Sequence, residues 1–331
     1  MGLWQWLKQL LFGSTSVEVE IPTEEERQER RPTPKLTPLR YHVSSWENHL
    51  PWKREFVSQR PYRFACNTDV WGMYNDGYVD LSLDANFGQL ERWGLPKFSN
   101  PEELAEWLGL PVGRVAWLAD RVRRGDWRGD RATDHYYRKF VSKRRGGWRL
   151  LEAPKPATKA VQYRILSEIL ERVPPHPAAH GFVRGRSIVT NARPHAGQAV
   201  LVKLDLENFY TSVSYARVVA IFRRLGYSRE AAIWLARLTT TQAPENLQPP
   251  HGKARLDWRY TLRHLPQGAP TSPALANLAA FSLDVRLSGM ARSFGAQYTR
   301  YADDLTFSGP KRFLQSLDTF LPLVIQIIQS E

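Results

Sequence analysis

The residues of this chain best suited to chemistry are a few acidic side chains set in apolar stretches. Asp303 and Asp304 are adjacent in RYADDLTFSG, between two β-prone segments, and this placement predicts the tip of a hairpin. Asp205 ends the apolar run AVLVKLD, which predicts a buried strand with one carboxylate at its end. Adjacent aspartates also occur in ordinary Asx turns, which remain the alternative for this pair.

The three carboxylates predict a metal site if their strands are neighbours in one sheet. Such a cluster repels itself and does not stay fully ionised without a cation. Mg²⁺ prefers oxygen ligands, and the single cysteine, Cys66, excludes both a disulfide framework and a cysteine-based zinc site. Two Mg²⁺ ions can activate a 3′-hydroxyl and stabilise a leaving pyrophosphate. We therefore expect Asp205, Asp303 and Asp304 to share two Mg²⁺ ions in phosphoryl transfer.

The charge of the chain favours a polyanionic partner. Its 331 residues carry 46 Lys and Arg against 33 Asp and Glu, a formal net charge of +13. The basic, aromatic segment HYYRKFVSKRRGGWRLLEAP predicts a β-hairpin that turns at Gly146 and Gly147. Such a hairpin suits gripping phosphates, although a solvated basic surface is the alternative.

The amino-terminal part of the chain carries no catalytic motif that we can identify. MGLWQWLKQLLFG predicts an amphipathic helix that is too short to span a bilayer, so we expect no stable membrane insertion. A flexible charged arm completes residues 1–40, and residues 41–100 form a folded extension of unknown role. The low cysteine content fits a reducing, cytoplasmic location.

Four motifs follow one another in a specific order. They are NARPH at residues 191–195, VKLDLENFYTSV at 202–213, LPQGAPTSPALANL at 265–278 and YADD at 301–304. In order, spacing and context they resemble the reverse transcriptases, and most of all those of bacterial retrons. The resemblance implies an α+β right-hand polymerase core, with fingers at residues 101–190 and a palm with a ferredoxin-like sheet at 191–331. The helical thumb that follows the palm in the family is absent, so we expect the chain to be incomplete at its carboxyl end.

The resemblance also implies roles for the acidic motif. Asp205, Asp303 and Asp304 match the catalytic, metal-binding acids, with the backbone of Leu206 beside the ions. Tyr210 falls at the position of the family's steric gate, where a ring would exclude a ribose 2′-hydroxyl. A core aromatic is the alternative at that position.

Further positions match the parts of the family that bind nucleotide and RNA. Gln267 and Gly268 match the loop that lies against the incoming dNTP, and Lys143 and Arg149 match the residues that clamp its triphosphate. Arg144 and Arg145 compete with Lys143 for that assignment. Within NARPH, the resemblance implies RNA contacts specific to retrons for Asn191 and His195. Buried, satisfied side chains are the alternative for that last pair.

At the level of function, the resemblance implies template-directed DNA synthesis from a structured non-coding RNA. In retrons the product is the branched RNA–DNA hybrid called msDNA, and many retron enzymes act in anti-phage defence beside an effector protein. Two rivals remain open: another reverse transcriptase, of the group II intron or a different defence type, and a non-catalytic RNA-binding scaffold.

Overall fold

The computed structural model describes residues 81–331 except for 121–133, 144–146, 245 and 251–256, and before residue 81 it describes five short strands. The predicted amino-terminal helix and most of the predicted charged arm lie outside the described residues. So does the turn residue Gly146, with Arg144 and Arg145.

The chain divides into two compact units, residues 1–38 with 64–78 and residues 39–63 with 79–331. The strands before residue 81 are β1 (Lys35–Thr37), β2 (His42–Ser44), β3 (Glu55–Val57), β4 (Arg63–Thr68) and β5 (Asn75–Asp80). They form a three-stranded sheet in the order β1–β4–β5 and an antiparallel β2–β3 pair. Strand β1 therefore lies within the segment for which we predicted a flexible arm.

The larger unit continues with short helices and a basic hairpin. These elements are α1 (Phe87–Arg92), α2 (Pro101–Leu108), α3 (Val112–Leu118), β6 (Tyr136–Ser142), β7 (Trp148–Pro154) and α4 (Pro156–Glu168). The Asn100 side chain accepts a hydrogen bond from the Glu103 amide and so caps α2, as the sequence SNPEE predicts. Strands β6 and β7 pair antiparallel, which confirms the hairpin; we call this pair the basic hairpin.

The remaining elements surround a second sheet. They are α5 (Ile188–Ala192), β8 (Val200–Asp205), α6 (Phe209–Ser212), α7 (Tyr215–Leu225), α8 (Arg229–Thr239), α9 (Ser272–Ala279), α10 (Phe281–Ser293), β9 (Gln297–Tyr301), β10 (Asp304–Gly309) and α11 (Leu317–Ser330). Short 3₁₀ turns at Leu170–Arg172, Arg193–His195, Trp258–Thr261 and Lys311–Ser316 connect them.

The apolar pattern after the loop LPQGAPTSP predicts one long helix, but the structure has two, α9 and α10. The break falls at Ala280, where the chain passes from one hydrophobic cluster to another. Leu275 of α9 belongs to a cluster built largely from α2, α4, α7 and α8, whereas Leu283 of α10 packs with residues of the second sheet. The two helices therefore serve two different cores.

The second sheet has the order β8–β10–β9 and is antiparallel throughout; we call it the aspartate sheet. Side chains alternate between its two faces. Leu305 and Phe307 of β10 are fully buried on one face, where they join Phe320 and Val324 of α11. The opposite face carries Asp205 and Asp304. Burial of the first face therefore fixes the register that places both aspartates on the second.

Within the part of the chain that the structure describes, no helix combines the length and apolar character needed to cross a bilayer.

Candidate active site

The three predicted acids meet at one end of the aspartate sheet. Asp205 is the last residue of β8, and its Cα lies directly opposite that of Asp304, the first residue of β10. Asp303 occupies the turn between β9 and β10, and its carbonyl accepts a hydrogen bond of 2.9 Å from the Leu206 amide. The strands are thus neighbours, as the metal-site hypothesis requires, and the backbone beside Asp205 is tied to the turn.

A buried arginine supports this turn from within. Ala302 has a φ of 57°, in the left-handed region that residues with a Cβ seldom adopt. The Arg300 guanidinium, fully buried, donates 2.9 Å to the Ala302 carbonyl and 3.0 Å to the Asn277 side-chain oxygen. Arg300 therefore holds the backbone immediately before the aspartate pair.

Asp284 of α10 neutralises this arginine. Its carboxylate accepts two parallel bonds from Arg300, at 2.8 and 2.7 Å, and a third of 2.8 Å from the Tyr298 hydroxyl. Burial lowers the pKa of Arg300, but the bonds and charge of Asp284 outweigh burial and raise it above its usual value. A buried charge is tolerated only when it is paired in this way, so the pair is a fixed part of the site.

The donors at the sheet end fit a hard cation, because carboxylate and backbone carbonyl oxygens are the ligands that Mg²⁺ prefers. Among the described residues, no three His, Cys, Asp or Glu side chains are already gathered into a metal-ligating group. Binding of one ion by all three carboxylates would therefore require them to turn toward it. The Lys203 ammonium lies 4.0 Å from the Asp304 carboxylate and offsets part of the negative charge at the sheet end.

Tyr210 lies close to the acidic cluster. It belongs to α6, immediately after the loop that follows β8, and its ring is half-buried 5.6 Å from that of Phe209. Burial and the neighbouring Asp303 charge raise the pKa of Tyr210 to about 12, so its hydroxyl stays protonated at neutral pH. The structure therefore places a neutral phenol within electrostatic reach of Asp303.

The basic hairpin is anchored to the loop that contains Gln267 and Gly268. The Glu152 amide of β7 donates 2.9 Å to the Gln267 carbonyl. The Glu152 carboxylate, fully buried, contacts Arg138 Nε at 2.9 Å and His264 Nε2 at 2.6 Å. Gly268 has a φ of 130°, and an added Cβ would lie 3.2 Å from the Glu152 carbonyl. Strand β7 and the Gln267 loop are therefore in direct backbone contact.

Lys143 and Arg149 lie near the end of this basic hairpin, and both are exposed. The Lys143 amide donates 3.0 Å to the Gly147 carbonyl and so closes the turn, while Arg149 is opposite Val141 in the register of the two strands. Both cations are accessible to a charged ligand.

Asn191 and His195 lie against the face of the aspartate sheet that carries Asp205 and Asp304, farther along the strands from those aspartates. His195 bridges the hydroxyls of Ser308 and Thr299, at 2.6 and 2.7 Å, and burial lowers its pKa. The Thr299 hydroxyl also donates to the Asn191 carbonyl at 3.4 Å, while the Asn191 side-chain oxygen is buried with no partner among the described residues. Both nitrogens of the His195 ring are thus bonded within the fold, whereas the Asn191 side-chain oxygen is not.

Sequence reasoning missed the buried groups that support the site, chiefly Arg300, Asp284, Glu152 and His264. None of the four gave a clear signal in the sequence, because each stands in a segment that also carries other polar residues.

Comparison with known proteins agrees with this geometry. A sequence-family model described as reverse transcriptase (RNA-dependent DNA polymerase) matches residues 141–329. This range includes the aspartate sheet, the loop at Gln267 and most of the basic hairpin. The chain belongs to the reverse transcriptase family.

Its curated relatives identify the type of reverse transcriptase as the bacterial retron type. The chain is 42% identical over 255 residues to the retron Mx65 reverse transcriptase of Myxococcus xanthus, covering 73% of this chain and 55% of that protein. It is 45% identical over 218 residues to the retron Mx162 enzyme of the same organism (66% and 43% covered). It is 31% identical over 244 residues to the retron Ec86 enzyme of Escherichia coli (72% and 67% covered). The chain spans about half the length of the first two relatives.

Proposed function

We propose that this chain catalyses RNA-directed DNA synthesis, using Asp205, Asp303 and Asp304 as its catalytic, metal-binding acids. The observation that carries the proposal is the pairing of Asp205 with Asp304 across β8 and β10, with the Leu206 amide bonded to the Asp303 carbonyl. This arrangement brings three acids from distant parts of the sequence to one sheet end. A purely structural role for these side chains would not require three acids to meet at one place.

The three carboxylates and the Leu206 carbonyl would hold two Mg²⁺ ions. When bound, the ions lower the pKa of a primer 3′-hydroxyl and stabilise the charge on the leaving pyrophosphate. The carboxylates fix where those charges develop, and the buried pair of Arg300 and Asp284 keeps the turn from shifting.

The residues around the acids bind the substrates. Lys143 and Arg149 on the basic hairpin clamp the dNTP triphosphate, because exposed cations, and the fork of arginine above all, suit phosphate oxygens. Gln267 and Gly268 lie against the nucleotide, and Tyr210 excludes a 2′-hydroxyl. In this assignment residues 101–190 act as fingers and residues 191–331 as palm.

RNA contacts belong to the segment around Asn191 and His195. Both residues hold this segment on the sheet through Thr299 and Ser308, so that its exposed side chains meet the RNA. Arg193, between them, is exposed. The His195 side chain and the Asn191 backbone carbonyl thus position the contact surface.

At the level of biology, the template and primer would be a structured non-coding RNA, and the product the branched RNA–DNA hybrid msDNA. This proposal rests on the identity with proteins named as retron reverse transcriptases. We further propose that the protein acts in the cytoplasm, in anti-phage defence, beside an effector protein. The rival within the family is a group II intron-like or other defence enzyme, and production of msDNA from a neighbouring RNA gene decides between them.

The test is incorporation of dNTPs by the purified chain on a DNA-primed RNA template with Mg²⁺. The Asp303→Asn/Asp304→Asn variant runs beside the wild type, and RNA binding is measured in the same samples. We expect synthesis by the wild type, loss of synthesis in the variant, and equal RNA binding by both. Tight RNA binding without synthesis by the wild type would instead support the non-catalytic scaffold.

A further inference from the structure

Phe182 combines two properties that a purely structural residue avoids. Its side chain is 59% exposed, although burial is the usual gain from a phenylalanine ring. Its backbone has a φ of 59°, in the left-handed region where bulky residues are strained and glycine is not. A residue that is strained and also exposes its ring is a candidate for function.

The loop that displays this ring is rigid; we call residues 178–186 the Phe182 loop. Its first part pairs with β9, since the Arg300 amide donates 2.8 Å to the Ala178 carbonyl and the His180 amide donates 2.7 Å to the Arg300 carbonyl. Arg186 closes the loop through bonds to the Pro177 and Ala179 carbonyls. The backbone that carries the ring is therefore bonded to the rest of the fold on both sides of Phe182.

The Phe182 loop also touches the turn that carries the aspartates. The Asn277 side chain donates 2.9 Å to the Gly181 carbonyl, and a Cβ on Gly181 would lie only 2.5 Å from the Ala302 nitrogen. The Phe182 ring centroid is 6.4 Å from that of Tyr301, which lies opposite Asp304 in the sheet. The two rings thus form an aromatic ledge beside the acids.

We propose that this ledge, formed by Phe182 and Tyr301, binds the last base pair of the primer–template duplex, with Phe182 contacting a nucleobase. The inference rests on the proposed function, because a primer end must lie at the three carboxylates for synthesis to occur. Aromatic rings accept any base, which suits an enzyme that copies a varied template. The exposed Arg184 on the same loop adds a cation for the backbone.

The test measures affinity and stability on the full chain. A fluorescein-labelled DNA primer annealed to an RNA template is titrated by anisotropy without Mg²⁺ or dNTPs, and melting temperatures are recorded. The variants are Phe182→Ala and Phe182→Gly, with Phe87→Ala as control because Phe87 is also exposed, at 44%, but lies on α1. Phe182→Ala is expected to weaken binding about tenfold, the usual loss of one stacking contact.

Phe182→Gly separates a binding role from a structural one. Glycine relieves the backbone strain, so this variant should bind as weakly as Phe182→Ala yet melt no lower than the wild type. Unchanged affinity in both variants, or a lower melting temperature in Phe182→Gly, would overturn the inference alone. A wild-type chain that does not bind primer–template at all would overturn the proposed function as well.

Discussion

Single residues at this site do different work although some share a chemical type. Asp205 and Asp304 lie at the sheet end, partly or fully open to solvent, where a cation can reach them. Asp284 has the same side chain but is fully buried and bound to Arg300, so it stabilises the fold and is not accessible to a ligand. Environment separates the two roles.

Tyr210 gives the prediction that belongs at this scale. Replacing it by Val removes the ring while keeping an apolar side chain, so a ribose 2′-hydroxyl no longer meets a clash. We expect the ratio of kcat/KM for dGTP over GTP to fall by about 100-fold, the scale of discrimination by steric exclusion. Tyr215→Val on α7, also half-buried, is the control. An unchanged ratio with a lowered melting temperature would show that Tyr210 is a core aromatic.

Sequence alone indicated the acids of the candidate site but not the buried groups that support them. Asp205, Asp303 and Asp304 can be recognised in the sequence because their charges interrupt β-prone segments. Arg300 stands in the same motif, yet its partners Asp284 and Asn277 lie in helices whose separation at Ala280 the sequence did not predict. Pairings between distant segments depend on tertiary packing, which local patterns do not encode.

At the scale of elements, the site is assembled from pieces tied to one another by buried hydrogen bonds. Strand β7 is bonded to the Gln267 loop through Glu152, and α9, which follows that loop, is bonded to Arg300 through Asn277. A connected path thus runs from the basic hairpin to the aspartate turn. Displacement of one element would displace the others.

The buried ion pair between α10 and β9 can be tested by removing charge in two ways. Asp284→Asn leaves Arg300 buried without a counter-charge and should lower the free energy of unfolding by about 3–5 kcal/mol. The double variant Asp284→Leu/Arg300→Met should recover most of that stability but not synthesis, because the Ala302 carbonyl loses its donor. Urea denaturation and dNTP incorporation measure the two effects. Full synthesis by the double variant would show that the pair serves stability alone.

Gly181 tests the contact between the Phe182 loop and the aspartate turn, and Gly289, which makes no such contact, is the control. Gly181→Ala forces a Cβ to 2.5 Å from a backbone nitrogen, so the turn must shift, and a shift of about 1 Å costs about 100-fold in rate. Gly289→Ala, on α10 with no atom within 4 Å, should instead raise stability by about 0.5–1 kcal/mol. Incorporation rates and melting temperatures check both. Wild-type activity in Gly181→Ala would contradict the proposed rigidity of the turn.

At the scale of the whole molecule, the site lies where two hydrophobic clusters meet. Leu206, the residue after Asp205, packs against both the helical cluster and the cluster beneath the aspartate sheet. The resemblance of the motifs implied an α+β polymerase core, and the metal-site hypothesis required the acid-bearing strands to be neighbours. The division into two cores could not be predicted, because it depends on which helices pair across long stretches of chain.

The net charge of +13 predicts strongly salt-dependent RNA binding. Raising the salt from about 50 to about 200 mM should weaken binding about tenfold or more, since each neutralised phosphate releases counterions. Arg184→Gln, on the Phe182 loop, should lower the slope of log K against log salt by about 1. Arg292→Gln, exposed on α10, is the control. A salt-independent affinity would argue against a phosphate-binding surface.

The most direct test of the account is a double-mutant cycle between β8 and β10. Single-turnover dNTP incorporation on a primed RNA template is measured for Asp205→Asn, Asp304→Asn and the double variant, with the exposed Asp318→Asn of α11 as control. Because residues that act as one unit are not additive, each single variant should lose about as much activity as the double variant, at least about 1,000-fold. Independent, additive losses, or a single variant that retains synthesis, would contradict a shared catalytic centre.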